Sequence, residues 1–382
     1  MSEELEALRE QSQFRALDNL PGINLSSNDY LGLATNPQFK QAVLAAVAGA
    51  SSMGSTGSRL LSGNSREWED LEAEFAHFAG TEAALYFGSG YAANVGLLSS
   101  ILKPADVVFS DEFNHASLID GMRLSGARKI IYPHLDLEFL EKSLIETAGT
   151  PGAKLIVTES LFGMEGDVAP LDELLQLARI HGAELIIDEA HATGGCGPQG
   201  RGIAASYQTE REILAIIHPC GKALASAGAF VCGGSVLKDF LVNRTRTFIF
   251  STAMPSYIAG QIRAAMEFAR NADAERAHLQ NISAALREAL TARGLRFGSS
   301  ASHIVPIILG SNEVAVHVAA QLQAHGFAVK AIRPPTVPVG TARIRLSLTC
   351  KITREDIHRL ASVMHAVIES TPRFSGASTV HA

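Results

Sequence analysis

The sequence predicts an α/β fold with a mainly parallel sheet, because short apolar runs rich in β-branched residues alternate with helical patterns. One such helical pattern is Leu171 to His181. Strands buried on both faces give continuous apolar runs, which are typical of parallel sheets covered by helices. We therefore expect a seven-stranded sheet, with strands at residues 84–87, 106–110, 129–133, 154–160, 184–188, 213–218 and 229–234.

The rest of the chain predicts a second, smaller α/β domain. Long Ala-rich helical patterns follow Pro255, and mixed strand and helix patterns continue to about Ser370. Residues 370–382 are expected to be frayed, as polar chain ends commonly are. The predicted parts are an N-terminal segment at 1–40, a large domain at 41–254 and a smaller C-terminal domain at 255–382.

Composition favours a cytoplasmic protein with no nucleic-acid partner. The net charge is −7, whereas a nucleic-acid interface needs a basic face. The four cysteines show no C-x-x-C spacing, so we expect no metal site and a reducing compartment. The acidic start MSEELEALRE is unlike a secretory peptide. The longest uncharged run, residues 83–102, is interrupted by Gly and Ser, so we expect no membrane span.

The segment ELIIDEAHATG places Asp188 at the end of an apolar strand, with His191 three residues later. Ligands of open α/β sheets bind at the carboxyl ends of strands, where a carboxylate needs a partner. A protonated pyridine nitrogen is such a partner. An ordinary helix cap is the alternative. The Asp-Glu-Ala-His box of nucleic-acid helicases is another, but it requires a P-loop, and the only Gly-Lys pair, Gly221-Lys222, lacks that motif.

Lys222 follows the strand at 213–218 and is flanked by Gly, Ala, Ser and Cys. Most lysines are solvated surface groups. Small neighbours, however, let a flat cofactor approach the backbone, and an apolar setting favours the nucleophilic, neutral amine. Lys222 and Asp188 together therefore indicate a cofactor site much more strongly than either residue does alone.

Three weaker motifs complete the set. The turn Gly88-Ser89-Gly90 follows a strand and precedes a helix near Tyr91, an arrangement that binds anions. His115 follows a strand in DEFNHASLIDG and could stack on a flat ring. Arg333 lies in the Pro-rich segment AIRPPTVPVG, where a fixed guanidinium suits a carboxylate. Each motif alone also has an ordinary structural explanation.

Together these motifs resemble the α-oxoamine synthase family of fold-type I pyridoxal-phosphate (PLP) enzymes. The similarity extends from SSNDYLGL, residues 26–33, to RIRLSLT, residues 343–349. The segment IRPPTVP is most similar to the family member of biotin biosynthesis. The resemblance implies a PLP cofactor held as a Schiff base by a lysine, and a homodimer whose active site is shared between subunits.

The resemblance also implies residue roles. Lys222 would bind the cofactor covalently, Asp188 would contact its pyridine nitrogen and His191 its ring hydroxyl. The full set implied for the cofactor is Lys222, Asp188, His191, His115, Gly90, Tyr91, Ser251 and Thr252. In it His115 stacks on the ring, Gly90 and Tyr91 form the phosphate turn, and Ser251 and Thr252 reach the phosphate of the neighbouring subunit. The set implied for the substrate is Arg333, Thr336, Asn28 and Arg15.

Two positions depart from the family pattern. The family usually has a threonine three residues before the Schiff-base lysine, where this chain has Pro219. The family also usually has a serine at the position of Gly163 in ESLFGMEGD. Each change removes a hydroxyl that would lie near the cofactor, and an unreplaced hydrogen bond to a charged group costs about 1.5–3 kcal/mol.

The activity implied by the resemblance is a decarboxylative condensation of an L-amino acid, L-alanine, with a pimeloyl thioester of CoA or acyl carrier protein. In this hypothesis Lys222 removes the α proton. One alternative is another member of the family, above all one that uses glycine and an acetyl thioester. A second alternative, of another class, is a PLP-binding protein with little catalysis. A site that had lost its catalytic function would be expected to lose charged members as well. The sequence instead retains all of Lys222, Asp188, His191, His115 and Arg333, which argues against this alternative.

Overall fold

The computed structural model describes residues 1–371, which divide into two units. The larger unit contains Leu31–Phe162 and Val168–Asp273. The smaller unit contains Met1–Tyr30, Gly163–Asp167 and, among the described residues, 274–371. The tail predicted to be frayed lies, from residue 372 on, outside the described residues.

A seven-stranded sheet forms the centre of the larger unit, in the order β2-β8-β7-β6-β5-β3-β4. Its strands are β2 (Ala83–Phe87), β3 (Val107–Asp111), β4 (Arg128–Tyr132), β5 (Lys154–Glu159), β6 (Glu184–Asp188), β7 (Ala215–Pro219) and β8 (Ala229–Gly233). Strands β7, β6, β5, β3 and β4 run parallel, and β8 is antiparallel to both of its neighbours. The prediction of an α/β fold with a mainly parallel seven-stranded sheet is confirmed.

Helices cover both faces of this sheet, so the central strands are buried along their length. The helices of the larger unit are α2 (Pro37–Ala48), α3 (Arg66–Ala79), α4 (Gly90–Ile101), α5 (Ala116–Ser125), α6 (Leu137–Glu146), α7 (Leu171–His181), α8 (Ala204–Tyr207), α9 (Ser235–Arg244), α10 (Arg246–Ile249) and α11 (Tyr257–Arg270). Short 3-10 helices lie at Leu33–Thr35 and Pro198–Gly200. One core cluster contains Leu97 and Val157, and another contains Phe109 and Ile187.

Helix α3 shows how the local sequence determines an element. Apolar residues recur at helical spacing, and Trp68, Leu71, Phe75 and Phe78 are all buried. The helix ends at Gly80, whose φ of 76° places it in the left-handed region that favours glycine. The ring of Phe75 stacks on that of Phe230 in β8 at a centroid distance of 3.8 Å, which fixes the helix on the sheet.

The smaller unit contains a three-stranded antiparallel sheet in the order β11-β12-β9. Its strands are β9 (Ile304–Gly310), β11 (Ala331–Ile332) and β12 (Ala342–Ser347), and a separate parallel pair joins β1 (Ile23–Asn24) to β10 (Phe327–Ala328). Its helices are α1 (Ser2–Glu10), α12 (Asp273–Thr291), α13 (Asn312–Ala324) and α14 (Arg354–Ser370). A capping box between Thr353 and Asp356 starts α14.

The limits of the two units differ from the predicted domain limits. The predicted large domain ends at residue 254, whereas the larger unit continues through Asp273. The reason is that α11 packs on α2 and α3 of the larger unit, and Arg263 of α11 forms a two-bond ion pair with Glu74 of α3. The first thirty residues belong to the smaller unit because β1 pairs with β10. The domain limits themselves stay a prediction.

Candidate active site

Six strands of the larger sheet run in the same direction and end at one edge, and five of them bring a polar motif to that edge. Strands β7, β6, β5 and β3 are consecutive neighbours and run parallel, and β2 runs in the same direction because β8 is antiparallel to both β2 and β7. The groups at these strand ends are Lys222 after β7, Asp188 and His191 at β6, Glu159 at β5, His115 after β3, and the glycine turn after β2. The carboxyl ends of open sheets are where ligands bind.

Lys222, Asp188 and His191 lie at the ends of adjacent strands. The amine nitrogen of Lys222 is 2.7 Å from Nε2 of His191. Asp188 is 3% exposed, and its carboxylate accepts hydrogen bonds from the Nδ2 of Asn94 at 2.7 Å and from the backbone N–H of Ala190 at 2.8 Å. The structure therefore brings together the three side chains that the sequence assigned to the cofactor ring.

His115 caps the start of α5 at the same edge. Its backbone N–H donates to Oε1 of Glu159 at 2.8 Å, which fixes the loop on the neighbouring strand β5. Its Nδ1 lies 2.7 Å from the hydroxyl of Ser117. Burial lowers the pKa of His115, the nearby charge of Asp188 opposes that change, and Lys222 adds to it. The imidazole is therefore favoured in its neutral form.

The glycine turn after β2 leads into α4. The Ser89 hydroxyl accepts a hydrogen bond from the N–H of Ala92 at 3.0 Å, as a helix cap does. The N–H groups of Gly90 and Tyr91 are in the first turn of α4, so the helix itself does not use them. Such groups and the helix dipole attract a phosphate. The hydroxyl of Tyr91 instead donates to Asp120 on the exposed surface.

Pro219, one of the two departures from the family pattern, is the last residue of β7 and packs against the glycine turn. A Cβ atom placed on Gly90 would lie 3.1 Å from Cγ and 3.3 Å from Cβ of Pro219. A side chain at position 90 would therefore require Pro219 to move. The proline ring thus occupies space next to the turn and brings no hydroxyl to it.

Ser251 and Thr252 lie beside the glycine turn of their own chain. They line a cavity of about 270 Å³ that is also lined by Gly88, Ser89 and Arg59. The cavity is lined by five side chains that carry hydroxyl groups, including Ser89, Ser251 and Thr252, and by the guanidinium of Arg59, which pairs with Glu72 at 2.9 Å. The predicted contact of Ser251 and Thr252 with the phosphate of a neighbouring subunit stays a prediction.

The groups at this sheet edge fit PLP. A buried carboxylate that accepts hydrogen bonds and donates none suits a protonated pyridine nitrogen. An amine within hydrogen-bond distance of an imidazole can reach a carbonyl carbon and exchange its proton. The first turn of α4 and the hydroxyls of the adjoining cavity suit a phosphate dianion.

The smaller unit contains a buried arginine that sequence reasoning missed. Arg345 on β12 is 7% exposed. Its two terminal nitrogens donate to Oδ1 of Asn28 at 3.1 and 3.2 Å, and its Nε donates to the carbonyl of Gly163. In the described part of the chain no carboxylate pairs with Arg345, although Arg343 on the same strand pairs with Glu165 at 2.8 Å.

Arg15, Arg333 and Thr336 also come together in the smaller unit. Arg15 donates to the Thr336 hydroxyl at 3.1 Å and to the carbonyl of Arg333 at 3.4 Å. Arg333 donates to the carbonyl of Ser12 at 2.6 Å, and burial together with the nearby charge of Arg15 lowers its pKa. Within residues 1–371 neither arginine has a carboxylate partner. An adjoining pocket of about 290 Å³ is lined by Leu5, Leu8, Gln13, Phe14, Arg15, Pro334 and Pro335.

Sequence reasoning also missed Asn94 and Glu159 in the larger unit. Asn94 lies four residues after Gly90, hence on the same face of α4 as the glycine turn, and this spacing was the available signal. Glu159 ends an apolar strand just as Asp188 does. For Arg345 the signal was a charged residue in the apolar strand pattern of RIRLSLT.

No group of three or more potential metal ligands occurs among residues 1–371, and no helix there is long and apolar enough to cross a membrane.

Comparisons with known proteins place these observations in a family. The family model described as aminotransferase class I and II matches residues 21–364. An 8-amino-7-oxononanoate synthase of Geobacter sulfurreducens is 41% identical over 376 residues, which cover 94% of this chain and 96% of that protein.

Solved structures agree with this match. A serine palmitoyltransferase from S. paucimobilis with bound PLP has a TM-score of 0.88 and 27% identity, over 97% of this chain and 96% of that one. An 8-amino-7-oxononanoate synthase from Francisella tularensis has a TM-score of 0.79 and 28% identity, over 91% of this chain and 98% of that one. The chain therefore belongs to the aminotransferase class I and II family.

Proposed function

We propose that the protein catalyses the PLP-dependent condensation of L-alanine with a pimeloyl thioester, releasing the free thiol and carbon dioxide and giving 8-amino-7-oxononanoate for biotin biosynthesis. The observation that carries this proposal is the distance of 2.7 Å between Nζ of Lys222 and Nε2 of His191. Lys222 follows β7, and Asp188 is the last residue of the neighbouring strand β6. Relatives named 8-amino-7-oxononanoate synthase cover nearly the whole chain, which supports the same reaction. The alternative of a helicase-type ATPase is excluded by the family match.

The predicted cofactor, PLP, is confirmed by the family match and by structural neighbours that contain it. Bound PLP supplies an electron sink for the negative charge that develops at the amino acid α-carbon. The prediction that the protein is an acyltransferase-type enzyme is confirmed by its relatives. The alternative of a PLP-binding protein with little catalysis is therefore not supported.

The chain's own residues have the following roles in this proposal. The amine of Lys222 removes the α proton, and His191 Nε2 is close enough to exchange a proton with it. Asp188 keeps the pyridine nitrogen protonated, and His115 contacts the ring face. The first turn of α4, with Gly90 and Tyr91, holds the phosphate, and Ser251 and Thr252 act at a phosphate across the dimer.

Two arginine sites suit the anionic ends of the substrates. Arg345 and Arg333 are the groups for the amino acid carboxylate, and Arg345 is favoured because it is deeply buried and makes hydrogen bonds to neutral acceptors only. Asn28 orients Arg345. Arg15 and Thr336, beside a pocket lined by leucine, phenylalanine and proline, suit an aliphatic acyl chain that ends in a carboxylate.

Three finer features belong to the same proposal. The protein acts as a homodimer, it works in the cytoplasm, and its acyl donor is the CoA or the carrier-protein thioester. The homodimer rests on the resemblance to the family, since the cavity that Ser251 and Thr252 line adjoins the glycine turn of their own chain.

The test is thiol release by the purified, PLP-loaded protein. L-alanine, glycine and L-serine are each combined with pimeloyl-CoA, acetyl-CoA and palmitoyl-CoA, and pimeloyl carrier protein is added as a fourth donor. We expect turnover with L-alanine and a pimeloyl donor. Lys222→Ala should lower the rate by about 10²–10⁴-fold, the usual contribution of a general base. Lys142→Ala, a change at an exposed lysine, is the matched control.

The other outcomes are equally informative. Turnover with glycine and acetyl-CoA would keep the chemistry and assign the protein to another reaction of the family. Turnover with L-serine and palmitoyl-CoA would assign it to the reaction of its serine palmitoyltransferase neighbours. Lysine-dependent PLP binding without turnover of any pair would contradict the proposed substrates and keep the cofactor.

A further inference from the structure

Asn94 belongs to a chain of hydrogen bonds between Asp188, the group assigned to the pyridine nitrogen, and His115, the group assigned to the ring face. Its Nδ2 donates to Oδ2 of Asp188 at 2.7 Å and to Oγ of Ser117 at 2.9 Å. The Ser117 hydroxyl in turn lies 2.7 Å from Nδ1 of His115. We call Asp188, Asn94, Ser117 and His115 the Asn94 network. Asn94 is 2% exposed and Ser117 is 1% exposed.

The direction of each hydrogen bond in the Asn94 network follows from the groups involved. A carboxylate can only accept, so the amide nitrogen and not the amide oxygen faces Asp188. The same nitrogen has a second hydrogen, which points to the oxygen of Ser117. The Ser117 hydroxyl therefore accepts from Asn94, and its own hydrogen is directed to Nδ1 of His115.

The backbone N–H of Ser117 also donates to Nδ1 of His115, at 3.2 Å. Because Nδ1 accepts from two donors, the proton of the neutral imidazole is on Nε2. The network thus fixes one tautomer of His115 and presents an N–H from the outer edge of its ring. It also occupies one oxygen of Asp188 while the other oxygen accepts the N–H of Ala190.

Close helix packing holds the network together. A Cβ atom placed on Gly121 of α5 would lie 2.9 Å from the carbonyl oxygen of Asn94 and 3.1 Å from Cα of Val95. Any side chain at position 121 would therefore push α5 away from α4. Since Asn94 is on α4 and Ser117 on α5, this contact sets the distance between the amide and the hydroxyl.

We propose that Asn94 and Ser117 are positioning residues that orient Asp188 and fix the tautomer of His115 for the proposed reaction. The two residues act on different members of the Asn94 network. Asn94 acts on both Asp188 and His115, whereas Ser117 acts on His115 alone. The proposal rests on the proposed PLP-dependent function, and it concerns only residues of this chain.

The experiment compares Asn94→Ala and Ser117→Ala with Ser99→Ala, a control on α4 whose hydroxyl donates to the backbone carbonyl of Gly96. The dissociation constant for PLP and the visible absorbance of the bound cofactor are measured first, without any acyl donor. We expect Asn94→Ala to raise the PLP dissociation constant about 10-fold, the effect of losing one hydrogen bond to a charged group. Ser117→Ala should keep the PLP dissociation constant within about twofold of the wild-type value, because the hydrogen bond from Asn94 to Asp188 remains.

Steady-state kinetics then separate positioning from folding. Both variants should lower kcat about 10-fold or more while the KM for L-alanine changes by less than about threefold. Asn94→Leu nearly keeps the size of the side chain but cannot form hydrogen bonds, so it should behave like Asn94→Ala. If Asn94→Leu retained wild-type PLP affinity and kcat, the amide would serve packing only.

Two outcomes overturn the proposal. One is a wild-type kcat and PLP affinity in both alanine variants. The other is a lower melting temperature in Asn94→Ala, with kcat per folded molecule unchanged. If Asn94→Ala does not fold, Ser117→Ala still tests whether the network positions His115. Failure of the proposed function is recognised separately, because the wild type would then show no Lys222-dependent PLP binding.

Discussion

The polar groups at the sheet edge of the larger unit and the arginines of the smaller unit differ in the partners that hold them. At the sheet edge, side chains bond to one another: Lys222 to His191, and Asp188 to Asn94. In the smaller unit, Arg345, Arg333 and Arg15 bond mainly to carbonyl, amide and hydroxyl oxygens. Neutral acceptors orient a guanidinium but leave its charge uncompensated.

The two kinds of hydrogen-bond partner suit two different tasks, holding a cofactor and binding a substrate. A cofactor that stays bound through many turnovers is best served by groups whose orientation is fixed in advance by the protein. A carboxylate substrate that enters and leaves needs a charge still available when it arrives, because a guanidinium already paired with a carboxylate gains little from a second anion. The comparison predicts that changes at the sheet edge affect kcat, whereas changes at the arginines affect KM.

The sharpest test uses two arginines of one strand. Arg345→Gln should raise the KM for L-alanine about 10- to 100-fold, since a charge-assisted hydrogen bond to a carboxylate contributes about 1.5–3 kcal/mol. Arg343→Gln, two residues away, removes a buried partner of Glu165 and should lower the melting temperature with little effect on KM. Steady-state kinetics and thermal unfolding of both variants measure the contrast. An equal KM increase in both would show that the missing carboxylate partner of Arg345 has no functional meaning.

A second test concerns a histidine buried in the larger unit. His218 on β7 is 1% exposed, and burial lowers its pKa to about 3, with a smaller contribution from Arg201. The Thr193 hydroxyl donates to the carbonyl of Glu189, so Nδ1 of His218 donates to Thr193. Nε2 has no partner among the described residues, and its protonation would bury an unsatisfied charge.

The sign of the pH effect follows from these pKa values. Below the ordinary value of about 6.5 the unfolded chain binds a proton at His218 and the folded chain does not, so stability falls as pH decreases toward 3. From pH 7.5 to pH 5 the loss is about 2 kcal/mol. Urea unfolding at the two pH values should show a correspondingly smaller loss for His218→Asn, with His77→Asn at an exposed position as the matched control. A wild-type loss in His218→Asn would mean that His218 is protonated in the folded protein.

The sheet edge was largely predictable from sequence because its information is local. Apolar runs identify the strands, and Asp188, His191 and Lys222 follow directly where those runs end. Strand ends shifted by only one or two residues, as for β7, which includes Pro219 because that residue pairs with Ala229 of β8. The roles given to these residues stay predictions.

The smaller unit was less predictable because its contacts join distant segments. Strands β1 and β10 have two residues each and pair Ile23 with Phe327, so neither shows a recognisable period. Arg345 and Asn28 are likewise separated by more than three hundred residues. The same reason explains why Asn94 was missed: its partner Asp188 is on another element, and an asparagine in a helix has no distinctive pattern.

The smallest expected effect is at Arg15, which is exposed and therefore screened by solvent. Arg15→Ala should raise the KM for pimeloyl-CoA about two- to fivefold, since an exposed ion pair contributes roughly 0.2–1 kcal/mol. Heptanoyl-CoA has the same chain length without the terminal carboxylate, so its KM should not change. Arg296→Ala, at another exposed arginine of the smaller unit, controls for net charge.

The ionic strength gives a second reading of the same variant. At about 1 M salt the Debye length is about 3 Å, so the difference between Arg15→Ala and the wild type should nearly disappear. An increase in KM for both thioesters would place Arg15 near the CoA phosphates and away from the acyl end. If the KM increased for neither thioester, the role of Arg15 would be limited to its hydrogen bonds to Thr336 and the Pro-rich loop. An arginine without a carboxylate partner would then indicate substrate binding only where its guanidinium is buried, as in Arg345.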